Sequence, residues 1–432
     1  MIQRGRGACH GQALVQRAAG AGFVVDCIVH DPRWDHQVEQ RDWLYATLVA
    51  ELGVDLSRLR AAYAGPLDPY GDSDAWLATS VLTLLARRGV ADAVAELRRY
   101  LRSGRDLEQA LDHLIPLLDR PETEGLLDDV LEVADDEQLR SLLEWRSGYP
   151  GGLSAPPWPD WRRASTRIER AATVAERSRA ARSNPRFDRA ARDRADRERV
   201  LRAAAESNLA TAPSAPDEVS GERWETTLLG ISADILQDET HPDAVRIAVR
   251  RCLRTLGSPR TLAWARTHVT LDGYAGSTAR SLFADLAEIS DAPRLLELLT
   301  EALARGNDHI YDQCNLVDAL AQLGHGAGVT TIEEIFDTTV YSYLRSRCAL
   351  ALSRLSTDFA DERAVECLDD CESRTRRIAI AHANISVPEV SERFGRIAQD
   401  PTENGDNRRA AATRIIRAAA GGTGYQSAAQ SE

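Results

Sequence analysis

In Asp243–Pro259, DAVRIAVRRCLRTLGSP, apolar residues fall at Val245, Ile247, Ala248, Val249, Cys252, Leu253 and Leu256. This i, i+3, i+4, i+7 spacing predicts a helix with one buried stripe. Leu256-Gly257 predicts its end, and Ser258-Pro259 predicts the N-cap and first turn of the next helix. The same pattern recurs at Ile289-Ser290, Leu323-Gly324, Leu355-Ser356 and Ile385-Ser386, at intervals of 33, 34, 32 and 30 residues. A weaker copy is Asn407–Gly422. Each turn is followed by a second amphipathic stretch: Thr261–Val269, Ala292–Gly306, Val329–Thr338, Glu362–Asp370 and Pro388–Asp400. Two short helices per 30 to 34 residues is the period of a solenoid, in which stacked neighbours bury stripes that one hairpin leaves open.

The first half follows the pattern loosely. Gln12–Ala19 and Phe23–His30 predict a hairpin turned at Gly20-Ala21-Gly22. Leu52-Gly53 ends the next helix, and Asp74–Gly89 repeats that ending 36 residues later, with Val90–Leu101 as its second helix. Helical periodicity continues through Leu107–Leu118, Glu122–Val133 and Glu137–Arg146. Ser147–Trp161 holds four prolines and three glycines, which predicts a break. From Asp160 to Arg202 there are 14 arginines against 7 acidic residues, a net of +7, so this is either a solvated helix held by charge pairs or a disordered tether. Asn184-Pro185 is expected to interrupt it, and Thr211–Ser220 is a second linker. The expected organisation is a degenerate helical segment over 1–146, a linker plus charged segment over 147–220, a regular repeat segment over 221–420 and a disordered tail over 421–432.

Two stretches, AVRIAVRRCLRTLGSPRTL (Ala244–Leu262) and LRSRCALALSRLSTDFADERAVECL (Leu344–Leu368), resemble HEAT repeats of the phycobilisome-lyase type. Their features are an arginine ahead of a small-residue helix, a Leu-Gly turn and a second helix opening on Pro-Arg. Ser258-Pro259-Arg260 and Asp291-Ala292-Pro293-Arg294 fit that turn, while Ser386-Val387-Pro388 lacks the arginine. The resemblance spans about Glu225 to Ala420 and implies an all-α fold, an α-solenoid of HEAT-like hairpins. It implies a scaffold or adaptor first. HEAT-type alkylpurine DNA glycosylases and lyases or chaperones of modified proteins share the repeat and stand as alternatives. For a glycosylase, Trp224 and Trp264 are the residues that could stack on a base.

Charge and composition narrow the partner. The net charge is −13, and all 53 basic residues are arginine, which excludes lysine nucleophiles and Schiff bases. With +7 in the charged segment, the rest of the chain carries −20. That balance argues against sequence-independent nucleic-acid binding. By the resemblance the second helices line the concave face, where they place Glu297, Glu301, Glu333, Glu334, Asp369, Asp370 and Glu392. An acidic groove predicts a basic peptide or protein as partner, and the chain's own Arg162–Arg202 is a candidate occupant. The alternative is a solvated face with no partner.

The densest polar cluster is His30–Asp42. Trp34, Asp35, His36 and Glu39 make it either a surface recognition site or a repeat turn in which Asp31-Pro32 starts a helix and Trp34 packs over the turn. Asp243 with Arg246 and Asp291 with Arg294 are expected to cap helices and bridge units, and Ser277 to be an N-cap. Cys367 and Cys371, four apart, are expected to share one helix face and pack in the core. No catalytic set, metal site or cofactor site is expected: no phosphate loop of standard form and no Gly-x-Ser-x-Gly elbow occurs. Seven scattered cysteines, without framework spacing, suit a reduced, intracellular protein, and no signal peptide or membrane span is read. The expected location is cytoplasmic.

Overall fold

The amphipathic stretches form helices, and among the described residues every regular element is helical. The structure is a computed structural model that describes residues 2–64, 75–103, 105–149, 151–181, 189–206 and 221–420. The break at Asn184-Pro185, the linker Thr211–Ser220 and the tail 421–432 lie outside the described residues. The chain divides into two units.

The first unit comprises Met1–Ser183, Thr339–Ala349 and Thr357–Glu432. Its first part carries α1 (Ala8–Val15), α2 (Arg17–Val29), α3 (Asp42–Leu52), α4 (Ala75–Arg87), α5 (Ala91–Arg102), α6 (Leu107–Leu114), α7 (Leu126–Val133), α8 (Asp136–Ser147), α9 (Trp158–Ala164) and α10 (Thr166–Ala181). The second unit comprises Asn184–Thr338 and Leu350–Ser356. It holds α11 (Arg189–Glu206), α12 (Gly221–Gln237), α13 (Asp243–Leu253), α14 (Pro259–His268), α15 (Gly273–Leu286), α16 (Ala292–Ala304), α17 (Ile310–Gln322) and α18 (Val329–Thr338). The remaining helices are α19 (Ser342–Leu355), α20 (Arg363–Cys367), α21 (Ser373–His382), α22 (Pro388–Gln399) and α23 (Gly405–Ala419).

Helices pack on their neighbours in sequence and on the next but one. In the first unit α4 meets α5 and α6, α8 meets α6 and α10, and α21 meets α23. In the second, α15 meets α14 and α17, and α16 meets α17 and α18. The local stops behave as expected at Gly53 and Gly324, which end α3 and α17 in the left-handed conformation at φ +66° and +67°. Ser258 caps α14 through its hydroxyl, which accepts from the amides of Arg260 and Thr261.

A second regularity is polar. Arg280, Gln313, Arg345, Arg376 and Asn407 recur at intervals of 33, 32, 31 and 31 residues, and all are buried. Arg280 donates to the carbonyls of Val269 and Leu271 behind it and to Asp312 ahead of it (2.6 Å). Arg376 does the same with the carbonyls of Asp370 and Cys371 and with Glu403 (2.6 Å). Gln313 reaches back to the carbonyls of Ala302 and Gly306, and Asn407 to that of Ser373. Arg280, Gln313 and Arg376 thus satisfy carbonyls at or just past the end of the preceding helix. Bonds between residues about one repeat apart occur in the N-terminal part too: Gln109 donates to Thr79 (2.9 Å), Arg98 to Asp129 (2.6 Å) and Arg167 to the carbonyls of Leu131 and Ala134.

Several local expectations are corrected. Helix α2 runs through Gly20-Ala21-Gly22, and the turn falls at Gln16. Gly20 serves close packing instead: a Cβ there would lie 2.7 Å from the Ala13 carbonyl oxygen. The proline-rich stretch begins a helix, because Pro159 sits in the first turn of α9, where no amide hydrogen is needed. Trp158 and Trp161 are buried there. Asp31-Pro32 starts no helix; Asp31 has φ +27° and residues 31–41 are irregular. Cys371 lies past the end of α20 and shares no helix with Cys367. Ser277 lies inside α15, which begins after Asp272. The pair Asp243–Arg246 forms (2.5 Å), whereas Asp291 pairs with Arg266 (2.7 Å) and Arg294 turns to Glu297 (2.7 Å).

Candidate functional site

The beginning of the chain is stitched to its last hundred residues through charge. Arg6 forms a two-pronged pair with Glu366 (2.7 and 3.0 Å). Gly5 gives its carbonyl to Arg345 (3.2 Å) and accepts from the Cys371 amide (3.0 Å). Trp43 and Arg88 both donate to Asp400 (3.0 and 2.7 Å). Arg345 occupies the repeated buried position described above, with Asp370 at 2.7 Å. Here it clamps the N-terminal segment as well.

At the centre is Glu39. One carboxylate oxygen accepts from the amides of Trp34 and Asp35. The other accepts from Arg41 (2.7 Å), the Ser342 amide (2.7 Å) and the Ser342 hydroxyl (2.8 Å). Burial alone would raise its pKa; Arg41 and the Ser342 and Asp35 amides together hold it below the usual carboxylate value. Arg41 is fully buried and also donates to the carbonyls of Gln3 and Val340. Glu372 accepts from the Gln40 amide (2.9 Å) and stands 2.5 Å from the Ser342 hydroxyl.

This hub fixes the loop that precedes α3. Asp31, held at positive φ, pairs with the buried guanidinium of Arg33 (2.8 Å). On that frame Trp34 is 44% exposed, with Val38 and His36 also exposed. Asp35 is half-buried and accepts from the Gln37 amide (2.9 Å). Thus Trp34 projects to solvent rather than packing over a turn, and Glu39 is the support, not the contact.

The acidic residues of the second helices fall into two groups. In the second unit, Glu297, Glu301 and Glu334 are exposed and Glu333 is half-buried, on the adjoining helices α16 and α18. Arg294 touches Glu297 at 2.7 Å and Glu301 at 3.6 Å. In the first unit, Asp369 and Asp370 are buried. Asp369 is ringed by Arg393 (3.2 Å), Arg396 (3.6 Å) and His10 (3.9 Å), and Asp370 is committed to Arg345. Glu39, Asp369 and Asp370 therefore offer no free carboxylate to a partner. The arginines of Asp369 and Asp370 lie some 25 residues away, and Glu39 owes its burial to Ser342, so nothing in the local pattern separates the three from solvent-facing acids.

The arginines of α9 and α10 are used nearby. Arg162 bridges Glu169 and Glu176 (both 2.6 Å) across an open cavity of about 530 Å³ that Leu153, Ser154 and Pro159 also line. Arg167 meets Asp136 (2.9 Å) and Arg179 the Ser147 carbonyl. The expectation that this segment occupies the acidic face is corrected to that extent. Trp224 and Trp264 are 4% and 8% exposed, so neither offers a ring face to a base.

All seven cysteines are free and buried. Burial pushes Cys9 and Cys252 up to about 12 and Cys27 to about 11, so neutral pH leaves little thiolate. The native protein is expected to stay unreactive towards a disulfide-exchange reagent such as dithionitrobenzoate and to titrate seven thiols in denaturant. A fast-reacting native thiol would contradict this burial. Among the described residues no group of three or more His, Cys, Asp or Glu is placed to hold a metal, and no helix is long and apolar enough to cross a membrane. Comparison with known proteins finds no matching family model, no matching curated protein and no matching solved structure.

Proposed function

We propose that this chain is a HEAT-like helical-repeat protein that acts as a binding platform for a basic segment of a partner protein. The observation that carries the reading is the buried polar position repeated every 31 to 33 residues. Arg280, Gln313 and Arg376 use it to close the preceding turn, and Arg280, Arg345 and Arg376 use it to grip an acid about one repeat further on. Stacks tied in this way leave whole helix faces for recognition. On α16 and α18 such a face carries Glu297, Glu301 and Glu334 in solvent, which suits arginine-rich ligands. A scaffold or adaptor working in the cytoplasm fits the buried, reduced cysteines.

The test is a titration with a fluorescent arginine-alanine repeat peptide. Binding is expected to weaken with salt. Reversing Glu297, Glu301 and Glu334 to arginine should weaken it by about tenfold or more, a loss of at least ~1.4 kcal/mol. Reversing the exposed Asp26, Glu137 and Asp406 in its place should change it little. Equal losses from the two triple variants, or none from either, would reject the platform on α16 and α18.

A further inference from the structure

We infer that Glu372 is the neutral acid in the folded protein, and that its proton latches residues 34–41 onto α19 and the start of α21. The argument is a count of protons. The Ser342 hydroxyl lies 2.8 Å from Glu39 Oε2 and 2.5 Å from Glu372 Oε1. A hydroxyl has one proton to donate. With both carboxylates ionised, one of these two short contacts would set lone pair against lone pair. A second proton is required, and it must sit on one of the two glutamates.

Glu39 does not hold it. Its two oxygens accept from three backbone amides, the Arg41 guanidinium and Ser342, a saturated acceptor set that only a carboxylate suits. Glu372 accepts one amide, that of Gln40, at 2.9 Å. Placed on Glu372 Oε1, the proton completes a directed chain. The Gln40 amide donates to Glu372 Oε1, the acid donates to Ser342 Oγ, and Ser342 donates to Glu39. Every member is buried or at the end of the chain.

The charges around Glu372 do not reverse this. Glu39 stands across the Ser342 hydroxyl from it, Arg345 acts on it from α19, and Asp370 and Cys371 act on it from its own segment; Arg41 and Arg376 are the other buried cations of this region. Arg41, Arg345 and Arg376 are each committed to another carboxylate or to carbonyls. Burial pushes the Glu372 carboxyl up to about 7; Ser342 and Gln40 pull it down, Asp370 raises it and Arg345 lowers it. A folded-state value above the ordinary 4.5 means that the contribution is whole below about 4.5 and is lost as pH rises through about 7. Deprotonation then leaves two carboxylates facing one hydroxyl. The segment that presents Trp34, His36 and Val38 loses its hold.

The experiment compares wild type with Glu372→Gln, which cannot ionise; its amide nitrogen can donate to Ser342, and because both contacts fall on the one atom Oε1 it then gives up the bond from the Gln40 amide at every pH. Between about pH 5.5 and about pH 8 the unfolding constant of wild type should rise roughly 30-fold more than that of the variant. Parallel pH profiles would overturn the latch. A carbon-13 titration of glutamate carboxyls in wild type decides the matter if the variant does not fold. Burial pushes Glu108 up to about 7 as well, so the titration is repeated in Glu108→Gln; one glutamate still titrating near neutral pH is expected there, and its absence overturns the assignment. This outcome is independent of any partner, so it stands or falls apart from the platform on α16 and α18.

Discussion

Replacing Arg345 by alanine is expected to cost about 3–5 kcal/mol of stability, as removal of one partner from a buried ion pair does. The side chain is fully buried, and it holds Asp370 at 2.7 Å and the Gly5 carbonyl at 3.2 Å. Its loss strands an ionised carboxylate in the core and releases the N-terminal segment in one step. Guanidinium unfolding should show a lower midpoint, and limited proteolysis should cut first near residues 5–7. The double variant Arg345→Met, Asp370→Asn should recover much of the loss. It removes both charges, and the asparagine side chain would keep an oxygen for the Glu372 amide, which Asp370 now accepts at 3.0 Å. A loss under about 1 kcal/mol in the single variant would mean that water enters and solvates Asp370, contrary to its burial.

Gly7→Ala and Gly276→Ala are expected to destabilise by about 3 kcal/mol or more, against the usual gain for alanine in a helix. Gly7 has ordinary helical angles, φ −58° and ψ −33°, so backbone freedom is not the issue. A Cβ there would fall 2.0 Å from the Glu366 carbonyl oxygen and 2.9 Å from the Asp369 carbonyl carbon. Both are main-chain atoms that cannot swing aside. At Gly276 the Cβ would meet the Leu271 carbonyl oxygen at 1.6 Å. Gly395, within α22, is the control, because nothing lies within 4 Å of its added Cβ. Gly395→Ala should stabilise by about 0.5–1 kcal/mol. Thermal melts of the three variants check both signs. A neutral Gly7→Ala would show that the N-terminal segment does not pack on residues 366–370 as described.

The helices themselves were legible because their information is local. Val329–Thr338 matches α18 end for end, and Ala292–Gly306 and Pro388–Asp400 differ from α16 and α22 only in the last residues. A helix needs an apolar stripe, a cap and a stop, and all three are written within some fifteen residues. Where the reading failed, a residue had been given its commonest local use. Gly20 reads as a turn and is a packing contact with Ala13, and Pro159 reads as a break and opens α9. The buried position at Arg280, Gln313, Arg345, Arg376 and Asn407 was visible in the spacing, but a polar residue in a helix is ordinarily assigned to solvent.

By itself, then, the order of residues determined the helical elements, their repeat period and an acidic chain whose cations are all arginine. Tertiary structure alone decided which charges are buried, that Gly5, Glu39 and Arg41 meet residues 340–372, and that Glu372 shares a serine hydroxyl with Glu39. The reason is physical. Periodicity records that a face will be covered but not which element covers it, and the environment that sets a proton on Glu372 is built from segments some three hundred residues apart.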